Sequence, residues 1–448
     1  MVRQGDIISV TIEDVSSEGY GVGRINQQVV FIPDTVTGDR VKSRIVRVKR
    51  KYAEGKIKEI ESESPHRTRP SCIVADKCGG CQWQHIDYQY QLQLKENQVR
   101  ETLTRIGGFT DIRVEKIIAG KPLGYRNKVS YPLAMSAMGR LKAGYYRRGS
   151  HQVVNINKCP IQDERLNPLL AGIKKDLQAS QIPVYDEKTR KGALRHLCFR
   201  IGKNTGEILV TLVTAKRVGE KLKTMAQKWM EVYPEIVGVT LNYNPKATNV
   251  IFGEETELLA GRGYLRETFA GLTFHLRPET FFQVNTNSAE DLLFAIFSRL
   301  DLKGNETVLD LYCGIGTFTL PFAQKVKKVI GIESHYQSII QAEENAILNG
   351  IDNVQFITGE VEAILPTLAV KPEVVVLDPP RKGCEETVME TLRQMQPETI
   401  VYISCHPATL ARDLRRLGED YNIKWVQPAD FFPQTCHVET AVIVTRGK

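Results

Sequence analysis

Apolar and polar residues alternate in short runs over the first 62 residues of this 448-residue chain. Glycines and a Pro-Asp turn interrupt the runs, a pattern typical of the short strands of a small β-barrel. The expected strands cover residues 7–12, 28–32, 40–50 and 53–59, and Gly19, Gly21 and Gly23 are expected to break the chain between strands. A stretch at 61–70, rich in Ser, Pro and charge, predicts a domain boundary.

Residues 71–261 show a different pattern, in which predicted strands and helices are mixed in no regular order. We expect an α+β domain here. Its helix, predicted over residues 86–105, has an amphipathic pattern that suits packing against the C-terminal domain.

From residue 262 to residue 448, apolar runs alternate with helical patterns. Strands that alternate with helices predict a parallel, Rossmann-like sheet with helices on both faces, that is, an α/β domain. The seven expected strands cover residues 307–311, 328–333, 354–358, 373–378, 399–404, 424–427 and 439–445. No helix separates the last two, so we expect them to form an antiparallel hairpin at one edge of the sheet.

The composition is that of a folded protein, with 42% hydrophobic and 25% charged residues. The start of the chain has no secretory leader, and no apolar run approaches the roughly 18 residues that span a bilayer. Nine cysteines in a chain of this length favour catalysis or metal binding in a reducing compartment. We therefore expect a cytoplasmic protein that does not bind membranes.

The net charge of +8 is concentrated in two segments. Residues 40–58 contain nine Lys or Arg and one acid, which suits an RNA backbone but also a solvated edge strand. Residues 116–162 contain no acid; their nine basic residues are Lys116, Lys121, Arg126, Lys128, Arg140, Lys142, Arg147, Arg148 and Lys158. The basic residues are interleaved with Tyr125, Tyr131, Tyr145 and Tyr146. Tyrosines can stack on unpaired bases, so we expect this segment to bind RNA.

Four of the cysteines have a spacing typical of a ligand set: Cys72, Cys78 and Cys81, then Cys159 followed by a proline. Four thiolates can hold zinc or an iron–sulfur cube, and three close cysteines plus a remote one are nearer to the ferredoxin style. Cys198, Cys313, Cys384 and Cys436 have no such arrangement and are expected to be packing residues.

The first strand of the C-terminal domain leads into a glycine turn at Gly314 and Gly316, and Glu333 ends the next strand. Such a turn lets a ligand approach the backbone, and a carboxylate about 20 residues on can accept hydrogen bonds from ribose hydroxyls. Thr319 stands where a dinucleotide fold would place a third glycine. The pattern fits S-adenosyl-L-methionine as well as a nucleotide, and Asp378, before two prolines, is expected at the same edge.

Cys405 follows the strand predicted at 399–404, and Glu439 begins the last strand. If that strand is antiparallel, its start lies at the edge where the parallel strands end. A thiol and a carboxylate would then meet beside the glycine turn, an arrangement suited to nucleophilic catalysis. A buried structural cysteine is the alternative for Cys405.

Two resemblances carry the interpretation further. The run QGDIISVTIEDVSSEGYGVGRINQQVVFIPDTVTGDRV resembles the TRAM domain, an OB-type RNA-binding barrel. The motifs FFQVN, DLYCGIGTF, LDPPRKG, ISCHP and HVETAV resemble the RNA uracil carbon-5 methyltransferase family. Together with the barrel and the four cysteines, they resemble its bacterial 23S ribosomal RNA branch.

This resemblance implies a covalent mechanism. Cys405 would add to carbon 6 of uracil, methyl would pass from S-adenosyl-L-methionine to carbon 5, and Glu439 would remove the carbon-5 proton. By motif position, Gln283, Tyr312, Gly314, Gly316, Glu333 and Asp378 would bind the donor. Phe281 would face the extruded base, Arg147 and Arg148 would bind RNA, and Cys72, Cys78, Cys81 and Cys159 would hold a [4Fe-4S] cluster.

Three other functions compete with methylation of 23S ribosomal RNA. A transfer-RNA T-loop uridine is the main one, although bacterial transfer-RNA members of the family mostly lack the barrel and the cysteines. A non-catalytic RNA chaperone is disfavoured by the intact Cys405 and Glu439. A DNA cytosine methyltransferase is disfavoured because its nucleophile follows a proline, whereas Ser404 precedes Cys405 here. We expect a monomer.

Overall fold

The computed structural model describes residues 2–218 and 220–447. It contains a closed barrel, a mixed seven-stranded sheet, a short hairpin and a second seven-stranded sheet, in that order along the chain. Within these residues, no helix has both the length and the apolar character needed to cross a bilayer.

The N-terminal barrel has the strand order β1-β2-β3-β5-β4. Its strands are β1 (Ile7–Val15), β2 (Gly21–Ile25), β3 (Gln28–Ile32), β4 (Arg40–Val48) and β5 (Tyr52–Ser62). Alternate residues of each strand, such as Val10, Ile12 and Val30, fill the interior.

The sequence did not reveal β2, because its glycines were expected to interrupt the barrel strands. A Cβ on Gly21 would lie 1.9 Å from Thr35 Oγ1, and one on Gly23 would lie 2.5 Å from Val10 Cγ2. These glycines therefore lie inside a strand and allow close approach of the barrel wall, so their expected role as breakers is wrong.

The central sheet has the order β12-β11-β10-β9-β6-β7-β8 and mixes parallel with antiparallel pairs. Its elements in chain order are α1 (Tyr88–Thr102), β6 (Lys128–Met135), β7 (Leu141–Tyr146), β8 (Val153–Asn155), α2 (Leu166–Ser180), β9 (Leu194–Ile201), β10 (Ile208–Thr214), α3 (Glu220–Val232), β11 (Ile236–Tyr243) and β12 (Glu255–Gly261). A π-helical turn (Leu103–Gly107) extends α1. The sheet and its helices α2 and α3 share one core, as an α+β fold requires.

The C-terminal part begins with the hairpin β13 (Leu265–Phe269) and β14 (Leu272–Leu276), followed by α4 (Thr286–Arg299). Strands and helices then alternate as β15 (Thr307–Leu311), α5 (Thr319–Ala323), β16 (Lys328–Glu333), α6 (Tyr336–Leu348), β17 (Val354–Thr358), α7 (Val361–Ile364), β18 (Val374–Leu377), α8 (Glu386–Met395), β19 (Thr399–Ser404), α9 (Pro407–Leu417), β20 (Tyr421–Ala429) and β21 (Glu439–Arg446). A 3-10 turn (Leu365–Thr367) follows α7.

The second large sheet has the order β17-β16-β15-β18-β19-β21-β20. Strands β15 to β19 pair in parallel, whereas β21 lies antiparallel between β19 and β20. Alternate residues of β18 enter different cores: Val376 packs toward α4 and α5, and Val375 packs toward α1, α8 and α9. The predicted α/β fold with a terminal antiparallel hairpin is confirmed.

Candidate active site

The carboxyl ends of the parallel strands meet at one edge of the C-terminal sheet and surround a cavity of about 660 Å³, here called the edge cavity. This volume suits a small ligand. Eight of the residues singled out from the sequence line it: Phe281, Gln283, Tyr312, Gly314, Glu333, Asp378, Cys405 and Glu439. These residues lie up to 158 positions apart in the chain, and the sheet topology brings them together.

The glycine turn after β15 gives the edge cavity an open backbone wall. Tyr312 has φ +72°, and Gly314 and Gly316 have φ +56° and +83°. No described atom lies within 4 Å of a Cβ added at Gly314, which faces the cavity. Gly316 lies behind the wall, because a Cβ there would approach Leu320 Cγ to 3.1 Å. Of the two predicted glycines, Gly314 borders the cavity and Gly316 shapes the turn.

Glu333, at the end of β16, is held rigidly beside this turn. Its Oε2 accepts from the Gly314 N–H at 3.2 Å, and its Oε1 accepts from the His335 N–H at 2.7 Å. Backbone donors thus fix the carboxylate while its outer edge borders the cavity. Such a carboxylate can accept hydrogen bonds from sugar hydroxyls.

Thr319, which occupies the position of the third glycine, begins α5 and bonds to a carboxyl group beneath the turn. Its Oγ1 donates to Asp310 Oδ2 at 2.6 Å, and Asp310 is buried beneath the turn. Burial, which a donated hydrogen bond only partly offsets, raises the pKa of Asp310 to about 7. Burial and the nearby Asp310 also raise the pKa of Asp378 to about 7, and Gln283 Nε2 donates to Asp378 Oδ2 at 3.3 Å.

The loop that carries Phe281 and Gln283 is braced by the central sheet. Asn127 Nδ2 donates to the Gln283 carbonyl at 2.8 Å. Arg200, buried on β9, donates to the carbonyls of Arg277 at 2.6 Å and Thr280 at 2.5 Å. Phe281 stays 61% exposed at the cavity mouth, so its ring is available to a ligand. Sequence reasoning missed Asn127 and Arg200.

Strand pairing brings Cys405 and Glu439 together. Ser404 pairs with Thr440 in the antiparallel register of β19 and β21. One further step in that register sets Cys405 opposite Glu439, on the same face of the sheet edge. Glu439 is buried, whereas Cys405 is half-buried and borders the edge cavity.

Electrostatics keep the Cys405 thiol protonated in the resting protein. Burial raises its pKa to about 12, and the carboxylates of Glu439 and Asp378 add to the effect. Burial and Asp378 likewise raise the pKa of Glu439 well above its usual value. Cys405, Glu439 and Asp378 thus all have raised pKa values. A positively charged ligand in the cavity would stabilise their charged forms.

Cys405 also borders a second cavity of about 510 Å³, here called the cleft. The cleft lies between the barrel loop at Ser17–Tyr20, the cysteine loop at Gly79 and the start of α9 at His406. His406 caps α9, since its Nδ1 accepts from the Thr409 N–H at 3.4 Å. Cys405 thus lies between the edge cavity on one side and the cleft beside the barrel on the other.

Sequence reasoning also missed Arg381 and Phe432. Arg381 borders both the edge cavity and the cleft, and Phe432 borders the edge cavity. Arg381 directly follows the proline pair already singled out, so its motif contained the signal. Phe432 lies in the β20–β21 loop, and sequence alone gave no signal for its position.

The four expected ligand cysteines lie near one another. Cys78, Cys81 and Cys159 are buried and Cys72 is half-buried. Burial raises the pKa of Cys81 to about 12 and that of Cys159 to about 11, and the neighbouring thiols contribute to both shifts. The Gly80 N–H donates to Cys78 Sγ at 3.4 Å. In the described part of the chain, no three or more Cys, His, Asp or Glu side chains stand close enough to hold a single metal ion.

The basic segment at 116–162 divides into exposed and internal residues. Arg147 is exposed, but Arg148 donates to Asp34 Oδ1 at 2.6 Å and to the Cys81 carbonyl at 2.9 Å. Tyr125 and Tyr131 are buried in the core of the central sheet. Their expected stacking on RNA bases is therefore wrong. Tyr131 lies on β6, an inner strand whose alternate residues pack inward, and Tyr125, before that strand, donates its hydroxyl to the Pro433 carbonyl at 3.1 Å.

Comparison with known proteins agrees with this geometry. Residues 87–447 match the model of the tRNA (Uracil-5-)-methyltransferase family, and residues 2–58 match the TRAM domain. An uncharacterized RNA methyltransferase of Nostoc sp. is 55% identical over 99% of this chain and 97% of its own length. One from Halalkalibacterium halodurans is 40% identical over 99% of this chain and 98% of its own length.

A solved structure shares the whole architecture. The tRNA (uracil-54, C5)-methyltransferase of Pyrococcus abyssi, in complex with S-adenosyl-L-homocysteine, superposes with a TM-score of 0.79 at 28% identity. The match covers 98% of this chain and 99% of that one. This chain therefore belongs to the S-adenosyl-L-methionine-dependent RNA (uracil-5-)-methyltransferase family and carries a TRAM domain at its N-terminal end.

Proposed function

We propose that the protein methylates carbon 5 of uridine in RNA through a covalent bond between Cys405 and the base. One observation carries the proposal: Cys405 and Glu439 border the same cavity as the residues proposed to bind the methyl donor. A nucleophile, a base and a donor pocket at one sheet edge are what this substitution requires.

In this proposal the edge cavity holds S-adenosyl-L-methionine, which supplies a methyl group on a positively charged sulfur. Glu333 accepts hydrogen bonds from the ribose, because backbone donors already orient its carboxylate. Tyr312, Gly314, Gln283 and Asp378 complete the pocket. The buried Asp378 carboxylate also offsets the positive charge of the donor.

Cys405 opens the reaction. Its sulfur bonds to carbon 6 of the uracil, the thiol proton leaves through the cleft, and the ring becomes an enolate that is nucleophilic at carbon 5. Phe281, exposed at the cavity mouth, stacks on the extruded base. After methyl transfer Glu439 removes the carbon-5 proton, and elimination breaks the sulfur–carbon bond. The raised pKa of Glu439 suits a group that must accept a proton.

A trapping experiment tests these roles. RNA containing 5-fluorouridine should form an adduct with the wild-type protein that survives denaturing electrophoresis, and Cys405→Ala should form none. Glu439→Gln should accumulate the adduct on ordinary RNA, since the proton would no longer be removed. Full turnover by Glu439→Gln would contradict its assignment as the base.

We propose 23S ribosomal RNA in the cytoplasm as the substrate. The four clustered cysteines and the resemblance of the motifs to the ribosomal branch support this choice. Transfer RNA is the second candidate, because the Pyrococcus abyssi enzyme, which acts on uracil 54 of tRNA, aligns over nearly the whole chain. Mass mapping of methyluridine in both RNAs from cells with and without the protein separates the two: a tRNA site alone would contradict the ribosomal assignment.

We further propose that Cys72, Cys78, Cys81 and Cys159 bind a [4Fe-4S] cluster. Support comes from their proximity, their burial and the Gly80 N–H directed at a sulfur. In a cube each thiolate binds a different iron, so the four sulfurs need not converge on one point as they must around a single ion.

Metal analysis tests the cluster independently of methylation. Protein purified without oxygen should contain iron and sulfide and absorb visible light, and Cys81→Ser should lose the iron. Cys198→Ser, at a buried cysteine outside the group, should retain it. Zinc in place of iron, or no metal at all, would contradict the proposal.

A further inference from the structure

The outer surface of the barrel contains an aromatic cavity of about 760 Å³, here called the barrel cavity. Tyr20, Phe31 and Tyr52 contribute its rings, and Lys56 lies at its border. The barrel is closed and has its own apolar core, so these rings are not needed to fill the interior. They form a separate concave surface beside the β3–β5 pair.

Strand alternation explains why these aromatic residues face outward. Val30 and Ile32 are fully buried in the barrel core, and Phe31 between them points to the opposite side. The rings of Phe31 and Tyr52 meet edge to face, with centroids 5.4 Å apart and planes at 79°. Tyr20 is 37% exposed on the loop after β1. The result is a fixed aromatic corner with a more accessible ring beside it.

The barrel cavity continues toward the active site. Ser17, Glu18 and Tyr20 border both the barrel cavity and the cleft. Cys405 and Arg381 border both the cleft and the edge cavity. One chain lying in this path would therefore pass from the barrel aromatics to the nucleophile without leaving the surface.

The charge of the surroundings fits a polyanion. The nine basic side chains between Arg40 and Lys58 are all exposed. Three acids also border the barrel cavity, but Asp34 pairs with Arg148 at 2.6 Å and Glu54 lies 3.8 Å from Arg47, which leaves Glu18 as an exposed carboxylate. Aromatic rings within such a basic surface are the usual elements of a site for single-stranded nucleic acid.

We propose that the barrel cavity binds an unpaired base of the same RNA strand that presents the target uridine to Cys405. Stacking against Tyr20 and Tyr52 holds this base, and the basic strands hold the phosphates between the two sites. The inference rests on the proposed function for the identity of the strand, but base binding itself requires no methylation. A base held there fixes how many nucleotides separate it from the target uridine, so the barrel helps to select the target as well as to attract RNA.

Equilibrium binding of a fluorescein-labelled 12-nucleotide oligouridine to the full chain tests the proposal without catalysis, in a Cys405→Ala background. Tyr20→Ala and Tyr52→Ala should each weaken binding by about 5- to 150-fold, the range of one lost stacking contact, and leave the salt dependence unchanged. Tyr20→Phe and Tyr52→Phe, which keep the ring, should bind like the parent. Lys49→Ala, on the same barrel but outside the cavity, should instead reduce the salt slope by about 0.7.

Unchanged affinity of Tyr20→Ala and Tyr52→Ala, or a loss of affinity that appears only as a reduced salt slope, would overturn the base site. A second arm uses the wild-type active site: RNA trapped at Cys405 through 5-fluorouridine carries 2-aminopurine at successive neighbouring positions. One position should be quenched, and Tyr20→Ala should abolish that quenching; quenching that persists would overturn the proposal. Failure to trap RNA at Cys405 would count against the proposed function, while the oligouridine titration would still decide the base site.

Discussion

At the scale of single residues, the resting site favours the protonated thiol of Cys405, the proposed nucleophile. The Cys405 thiol shares a buried edge with Asp378 and Glu439, and burial followed by these carboxylates raises its pKa to about 12. A positively charged donor in the edge cavity would favour the thiolate, so activation would depend on donor binding. A thiol that stays protonated would react slowly with alkylating reagents before the donor arrives.

The pH dependence of alkylation tests this arrangement. Asp378, whose pKa is about 7, is charged above pH 7 and then disfavours the thiolate. Asp378→Asn should therefore speed iodoacetamide modification of Cys405 at pH 9, about tenfold for each unit by which the thiol pKa falls. Below pH 7 the difference should vanish, because the wild-type carboxyl is then protonated. Peptide mass spectrometry measures the rate at Cys405.

Two control variants make the alkylation result specific. Glu390→Gln removes an exposed carboxylate on α8 by a similar chemical change and should leave the rate as in the wild type. Cys405→Ala identifies signal from the other cysteines. Equal rates for Asp378→Asn and wild type at pH 9 would show that Asp378 does not control the thiol.

Residues next to an apolar run could be predicted from sequence, whereas residues that support them from afar could not. Glu333 ends a strand, and Asp378 and Cys405 each directly follow one, so the sheet edge was the expected place for them. Asn127 supports Gln283 across 156 positions, and local pattern contains no trace of that contact. The contact of Thr319 also needed the structure, because nothing in the sequence links it to Asp310, an acid inside a buried strand nine positions earlier.

At the scale of elements, a buried ion pair joins α1 to the loop that forms the active-site wall. Lys95 Nζ donates to Asp430 Oδ1 at 2.7 Å and to the Phe432 carbonyl at 3.1 Å, and both charged side chains are fully buried. Phe432 borders the edge cavity. The pair therefore connects a helix before the central sheet with the position of an active-site aromatic ring.

Removal of the Lys95 side-chain charge should lower the stability of the fold. Lys95→Met leaves the Asp430 carboxylate buried without its partner, and we expect a loss of about 3–5 kcal/mol in the free energy of unfolding. The double variant Lys95→Met/Asp430→Leu should recover much of that loss, because neither charge is then stranded. Urea unfolding measures both variants, and hydrogen exchange in α1 should rise in the single variant.

An exposed ion pair provides the matched control for Lys95. Lys42 lies 3.1 Å from Glu59 on the barrel surface, where water screens the pair. Lys42→Met should leave the urea midpoint nearly unchanged. If Lys95→Met were equally mild, the buried pair would not be what fastens α1 to the C-terminal sheet.

Element prediction failed where packing overrode local signals. Gly21 and Gly23 were predicted to break strands, yet they lie within β2. Neighbouring side chains leave no room there for a Cβ, which is why both positions are glycine. The pattern at Tyr125 and Tyr131 predicted a surface for bases, yet both side chains are buried, and Tyr131 points inward because β6 lies between β9 and β7. Both errors arose because the neighbours of a residue, which decide how it packs, become known only once the strand order is known.

At the scale of the whole molecule, the cleft is lined by both the barrel and the C-terminal domain, and it shares residues with the barrel cavity on one side and with the edge cavity on the other. Trp83 Nε1 lies 3.4 Å from the Gly19 carbonyl, and Arg67 contacts Asp39 at 2.6 Å, so the barrel is fastened on more than one side. Arg148 adds a bridge from the barrel to the cysteine loop. The orientation of the barrel thus depends on the segment that carries the proposed cluster.

Arg147 and Arg148 are adjacent, yet the structure predicts different consequences for their loss. Arg147→Ala should lower the slope of RNA affinity against salt by about 0.7, the contribution of one phosphate contact on a single strand, and leave the protein's stability unchanged. Arg148→Ala should leave the salt slope nearly constant and increase hydrogen exchange around Asp34 and Cys81, because its guanidinium bonds there. Binding titrations at several salt concentrations and exchange on the free protein measure both effects.

The comparison decides how the basic segment works as a whole. If Arg148→Ala reduced the salt slope as much as Arg147→Ala and left exchange unchanged, both residues would contact RNA directly. If the two variants instead differ as predicted, then only Arg147 contacts RNA and Arg148 orients the barrel. The number of basic residues in this segment would then overstate the area that contacts RNA. The hydrogen bonds of Arg148 also link loss of the proposed cluster to RNA binding. Disorder of the loop at Cys81 would remove one partner of Arg148, and the barrel would then lose part of the contact that aligns it with Cys405.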